Sequence, residues 1–262
     1  MLSEVIDIVR QASALMSSGN FKIMQKDGFA NLVTSSDFAV QHFLTEKLSA
    51  LLPGSGFLCE EEDAGIVNKS SNDYVWIIDP IDGTANYSRG MADCCISVAL
   101  SKGGILQLGV VYSPARGQLF SAEKGRGAFC NGERIHVSSR PYEDSIFCTA
   151  MCAYYKEFAK TCSEIIYDIY MQINDSRRFG SAAIEICLLA AGMIELYFEI
   201  RLQPWDYAAA MLILSEAGGY VSGFDGASPS IRKPSMVIAA NTASSLHRVQ
   251  EVVHRHLQSL PY

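Results

Sequence analysis

Leu2, Val5, Ile6, Val9, Ala12 and Leu15 recur at intervals of three and four residues, so the spacing predicts an amphipathic helix over 2–17. A polar stretch rich in Lys, Gly and Asn follows. Ser35 and Ser36 then offer a cap before a second helix carrying Phe38, Phe43, Leu44, Leu48 and Leu51, which Pro53-Gly54 ends. From residue 56 the period changes. Gly56–Cys59 and Tyr74–Ile78 read as short buried strands. Cys94–Ser101 and Ile105–Tyr112, joined by Lys102-Gly103-Gly104, read as a hairpin. Leu119–Ala122 and Ala128–Val137 continue the antiparallel pattern, with Gly125, Gly127 and Asn131-Gly132 as turns.

Beyond about residue 145 helices and strands alternate. Strands are expected at 146–150, 193–198 and 236–240, and helices at 156–170, 181–191, 208–217 and 243–257. Alternation of this kind implies layered α/β packing. No repeat or linker divides the chain, so 1–262 is expected to form a single domain with a soft internal boundary near 145.

With 49% apolar residues the chain can bury a core, which excludes a disordered protein. The 21 basic and 28 acidic residues leave a net charge of −7, which argues against non-specific nucleic-acid binding. Eight cysteines lie mostly in apolar segments with no Cys-x2-Cys pair, the pattern of reduced thiols in a cytoplasmic protein. The N-terminus has no basic stretch and carries Glu4 and Asp7, unlike a signal peptide. The longest apolar run, 186–198, is broken by Glu195 and is shorter than the ~20 residues a bilayer requires, so no membrane association is expected.

The chemistry concentrates at the ends of elements. In 76–87 a hydrophobic strand runs into Asp79-Pro80-Ile81-Asp82-Gly83-Thr84. Pro80 is expected to stop the strand so that both acids turn to one point. Carboxylates at a strand's carboxyl end face the crevice where open sheets bind ligands. Two such carboxylates repel unless a cation lies between them. An Asp-Gly turn with Asp82 as a helix cap fits the same residues. Glu60-Glu61-Glu62-Asp63 reads either as a solvated face or as acids ending a buried strand. Asp37 and Asp206 each sit in the first turn of a helix, where they complement its dipole or cap it. Together Asp37, Glu60, Asp79, Asp82 and Asp206 form an oxygen-only set suited to Mg2+ or Mn2+, which bind substrate phosphates. A cation between them would let an acidic site hold an anion. No Gly-x-Ser-x-Gly and no Gly-x-Gly-x-x-Gly is present where serine hydrolases or dinucleotide-binding domains need them.

The ordered motifs 31–37, 57–61, 76–87, 180–183 and 205–209, with Ala128-x2-Asn131-Gly132 and Glu216-Ala217-Gly218-Gly219, resemble the inositol monophosphatase family of Mg2+-dependent, lithium-sensitive phosphatases over nearly the whole chain. The resemblance implies a layered α-β-α-β-α sandwich, homodimeric, with two or three metal ions. It assigns the first metal to Glu60, Asp79 and the Ile81 carbonyl, and the second to Asp79, Asp82 and Asp206. A weaker third ion falls near Glu60 and Asp37. Gly83 and Thr84 would bind phosphate through backbone N–H groups, and Glu60 and Thr84 would orient the attacking water. Gly180, Ser181, Ala182, Glu199 and Asp206 would meet the polyol. Cys59 stands where the family has glycine, and Asn31 where it has an acid. Inositol monophosphate or a similar polyol phosphate is the implied substrate. Fructose 1,6-bisphosphate, histidinol phosphate, a phosphorylated adenosine nucleotide and NADP are the alternatives within the fold. A regulatory role in an RNA polymerase or ribonucleoprotein assembly is the alternative of another class. Arg177-Arg178 suits either a second anionic group or a neighbouring carboxylate.

Overall fold

A computed structural model of the chain describes residues 1–16, 21–25, 32–61, 73–152 and 155–257. The apolar stripe of the first segment forms α1 (Leu2–Ser13), with Val5, Val9 and Ala12 buried. A short antiparallel ribbon, β1 (Ile23–Gln25) and β2 (Leu32–Thr34), leads into α2 (Ser35–Leu51). The cap of α2 is Thr34, ahead of both serines. Asp37 completes a capping box with it, which satisfies the helix's first free amides.

Then come β3 (Gly56–Cys59), β4 (Tyr74–Asp82), the single turn α3 (Thr84–Tyr87), β5 (Cys95–Lys102), β6 (Ile105–Ser113), β7 (Gln118–Glu123), β8 (Ala128–Cys130) and β9 (Glu133–Ile135). These strands form a seven-stranded sheet in sequence order, antiparallel except for the parallel pair β3–β4. The expected turn at Asn131-Gly132 is present and divides 128–137 into β8 and β9, both residues taking positive φ. One expectation is corrected here. Pro80 does not end β4. Pairing with β3 stops at Cys59↔Ile78, so no partner on that side needs the amide Pro80 lacks. On the other side the register with β5 shifts between Asp79 and Asp82, a bulge that keeps the strand going.

The second half supplies β10 (Ile146–Thr149), α4 (Ala159–Tyr170), β11 (Asp175–Arg177), α5 (Ala182–Ala190), β12 (Leu196–Leu202), α6 (Pro204–Glu216), β13 (Tyr220–Ser222), β14 (Ser235–Ala240) and α7 (Ala243–His256). Its five strands run in the order β11-β10-β12-β14-β13, with β11, β10 and β12 mutually parallel. α6 begins at Pro204, four residues before its apolar run, since proline is well suited to a helix's first position. β12 starts three residues later than its hydrophobic run does, because Gly192 and Met193 close α5.

Period-2 alternation assigns the layers. On β10 and β12, Phe147, Leu196, Phe198 and Ile200 face α4 and α7, while Cys148 and Tyr197 face α5 and α6. On the large sheet Trp76, Ile78, Ile96 and Val98 meet α1 and α2, while Ile77, Ala99 and Val111 meet α5 and α6. The order is helices, sheet, helices, sheet, helices. α5 and α6 are buried on all sides, which is why their sequences are apolar without a polar face. Gly109 on β6 lets α6 approach closely, because a side chain there would meet Ala209 O at 2.6 Å. This contact seats the helix whose first turn carries Asp206.

Candidate active site

The acids meet where β3 and β4 end and where α2, α5 and α6 begin. Thr34 N–H and Oγ1 donate to Asp37 Oδ2 at 2.8 and 2.5 Å, while Thr84 Oγ1 reaches Asp37 Oδ1 at 3.2 Å. The same Thr84 hydroxyl lies 3.0 Å from Ile81 O. Asp37 thus links the start of α2 to the turn after β4. Glu60 follows β3, with its amide donating to Ile78 O at 3.2 Å. The next residue is clamped: Gln41 of α2 donates to Glu61 O at 2.9 Å and accepts from Glu61 N–H at 3.1 Å. Behind Glu60, Cys59 is buried and its thiol is pushed up to about 12 by desolvation. Glu62, Asp63 and Asn31 lie outside the described residues.

Asp79 is buried, and its Oδ1 accepts from Ile81 N–H at 2.9 Å. Asp82 does not cap α3; that place belongs to Gly83, at φ +88°. Asp82 Oδ2 instead accepts from Ser181 Oγ and Ala183 N–H, both at 2.7 Å, at the start of α5. Asp206 completes a capping box on α6, accepting from Gln203 N–H at 2.7 Å. Asp37 and Asp206 are therefore caps and members of the acid cluster at once.

Burial pushes these carboxyls up, and their charges push one another further. Asp79 lies well above the ordinary carboxylate range through desolvation, then through Glu60, Asp82, Asp206 and Asp37. Asp206 is raised well above it by burial, Asp82 and Glu60. Asp82 sits at about 6, its burial partly offset by the Ser181 and α5 hydrogen bonds. Asp37 is raised by burial against its threonine bonds. The five acids predicted from sequence are thus brought within one another's fields. They gather without closing: among the described residues no three acid, histidine or cysteine side chains form a metal-binding set. The carboxylates of Asp37, Asp79, Asp82 and Asp206 each accept from a nearby donor. The donors are oxygens, which fits a hard divalent cation such as Mg2+.

Gly83 is required at its turn, since a Cβ would meet Asp93 O at 2.7 Å and its φ is positive. Glu199, on β12, accepts from Tyr197 OH at 2.8 Å and is raised to about 7, chiefly by burial. Ser181 is buried and caps α5 through Ile184 N–H at 3.4 Å; Gly180 is exposed and Ala182 buried beside it.

Two residues escaped the sequence reading. Glu185 is buried, accepts from Phe179 N–H at 2.5 Å and Gly180 N–H at 2.9 Å, and is raised to about 8 by desolvation. Asn86 of α3 donates to Asp93 O at 2.7 Å and Phe179 O at 2.6 Å, tying the Gly83 turn to the 179–181 turn. Glu185 had a faint signal, an acid four residues after a serine cap. Asn86 had none beyond its place in the motif.

Comparison with known proteins agrees with this geometry. The profile of the inositol monophosphatase family matches residues 2–260. The Nus factor SuhB of Escherichia coli (strain K12) is 33% identical over 232 residues, 86% of each chain. The solved structure of a Thermotoga maritima IMPase superposes with a TM-score of 0.86 at 31% identity, covering 98% of both chains. An IMPase/NADP phosphatase solved with Mg2+ and phosphate superposes at 0.82 with 25% identity, over 95% of this chain and 92% of that one.

Proposed function

The chain belongs to the inositol monophosphatase family, and from that membership we propose that it is a Mg2+-dependent phosphomonoesterase acting on inositol monophosphate or a similar polyol phosphate. The observation that carries this reading is the gathering of five acids beside a glycine turn that only a left-handed backbone can make. Glu60, Asp79, Asp82, Asp206 and the Ile81 carbonyl would hold the cations, with Asp37 at a third position. When bound, Mg2+ supplies Lewis acidity, acidifying water and neutralising charge on phosphoryl and leaving-group oxygens.

The chain's own residues do the rest. The amides of Gly83 and Thr84 open a helix, where N–H groups lack internal partners and suit an anion. Thr84 Oγ1, held by Asp37 and Ile81 O, and Glu60 orient the attacking water. Oriented water at a held phosphoryl group captures much of the entropic part of the barrier. On the far side Glu199 accepts a polyol hydroxyl, and Gly180, Ser181 and Ala182 shape the wall beside it. Asp206 faces both the cations and the substrate. The same reading makes the protein a cytoplasmic homodimer that lithium inhibits. Among the described residues no helix is long and apolar enough to cross a membrane.

Phosphate release from myo-inositol 1-phosphate, fructose 1,6-bisphosphate, histidinol phosphate and NADP, with Mg2+ or with EDTA, tests the proposal. The expected result is Mg2+-dependent release with the highest kcat/KM on a polyol ester. Absence of release from every ester overturns it. Similarity to a protein named as a Nus factor favours a second reading, a binding role in an RNA polymerase assembly. Asp79→Asn separates the two: hydrolysis is lost in the first, and binding survives in the second.

A further inference from the structure

Two free thiols, Cys152 and Cys162, are buried with their Sγ atoms 2.9 Å apart. This lies inside van der Waals contact for two sulfurs, a short movement from the roughly 2.05 Å of a disulfide. Different elements bring them together. Cys162 shares the buried face of α4 with Ile165 and Ile169, which packs on β10 and β12. Cys152 follows β10 by three residues and takes φ +48°, a left-handed conformation that residues with a Cβ seldom adopt. Cys94 and Cys95 meet oxygens instead, Met91 O at 3.9 Å and Ser181 Oγ at 3.6 Å. The Cys152 sulfur also accepts from Ile200 N–H and lies in the field of Glu199. At the end of β10, Thr149 Oγ1 donates to Phe198 O at 2.8 Å. The chain after β10 is thus stitched to residues 198–200 of β12, which carry the acid that would meet the polyol.

Burial keeps bulky oxidants from these thiols and disfavours the thiolate that must attack, so oxidation is slow and confined to small reagents. Hydrogen peroxide is one. The Cys152 thiolate attacks a peroxide oxygen, the O–O bond breaks, and the departing hydroxide takes up the thiol's proton as water. The Cys162 sulfur then attacks the sulfenic sulfur, the S–S bond forms, and the second oxygen leaves with the Cys162 proton as water. Two thiols lose two electrons, and peroxide is reduced to two waters. A partner already in contact makes the second step intramolecular and forestalls further oxidation of the first sulfur. We propose that Cys152 and Cys162 are a peroxide-oxidisable pair whose disulfide draws the chain after β10 onto α4, displaces Glu199 and weakens polyol binding. Transient disulfides of this kind suit a reducing compartment. The effect on binding rests on the phosphatase reading above; formation of the bond does not.

The test treats the reduced full chain with hydrogen peroxide, blocks remaining thiols and maps tryptic peptides by mass spectrometry. Lys156 and Lys160 lie between the two cysteines, so trypsin leaves them on separate peptides. Phosphate release from myo-inositol 1-phosphate with Mg2+ is followed on the same samples, before and after dithiothreitol. The expected result is a 152–162 cross-link, lighter by two hydrogens, with KM raised about threefold or more and kcat less affected. Dithiothreitol should reverse both. Cys152→Ser and Cys162→Ser should each lose the cross-link and the response of KM to peroxide. No cross-link in the wild type, or the same cross-linked mass in Cys152→Ser, overturns the pairing. A cross-link that leaves KM unchanged overturns the coupling to Glu199. No phosphate release from the reduced protein overturns the phosphatase reading and, with it, the coupling, while the mass measurement still decides the pairing.

Discussion

Asp79 is the residue on which most of the site's charge converges, since Glu60, Asp82, Asp206 and Asp37 all raise it. Without a cation that crowding costs stability; with one it becomes affinity. Asp79→Asn should therefore raise the melting temperature in EDTA while lowering kcat/KM in Mg2+ by more than about 100-fold, as expected when a group that holds the metal is removed. Melting curves and phosphate release on one preparation check both halves, and a variant that melts lower in EDTA contradicts the crowding account. Thr34 offers a contrast. Its hydroxyl both caps α2 and holds Asp37, so Thr34→Ala should cost about 1 kcal/mol in urea unfolding and also depress kcat.

Among the elements, α5 and α6 do the positioning. Asp82 leans on the start of α5 and Asp206 on the start of α6, so either helix moving displaces a carboxylate. Gly109→Ala would drive a methyl group into the Ala209 backbone, with an expected cost of about 1–3 kcal/mol. It should also weaken Mg2+ activation, although Gly109 itself bears no functional group. An unchanged Mg2+ titration would show that α6 is seated by other contacts. Glu185 is the equivalent support for the 179–181 turn. Glu185→Ala leaves two amides without their acceptor and should cost about 2 kcal/mol or more, read as a shifted urea midpoint.

At the scale of the whole molecule, the buried acids make stability depend on pH. Asp82 at about 6, Glu199 at about 7 and Glu185 at about 8 all titrate above their unfolded values. Between roughly pH 4 and 8 the folded chain keeps protons that the unfolded chain has released, so stability falls as pH rises through this window. Metal-free protein should melt at higher temperature at pH 5.5 than at pH 8. Saturating Mg2+ should flatten the dependence by binding the deprotonated folded state. Melting curves across pH 5–8.5, with EDTA and with Mg2+, measure it; a flat metal-free profile refutes it.

The periodicities at 2–17, 35–51 and 243–257 made three helices legible, because each has one face on the core and one on solvent. The strands at 56–59, 105–112 and 236–240 were legible as short buried runs. The acids were legible only as a set in a particular order along the chain, since each alone also fits a helix cap, a turn or a solvated face. Tertiary structure alone decided what these acids do when drawn together. Asp82 finds Ser181 and Ala183 about a hundred positions away, and no local pattern specifies a partner at that distance. The course of β4 through Pro80 depended on where β3 stops. Local spacing records which face of an element is buried; which elements share that burial is set by how the layers stack.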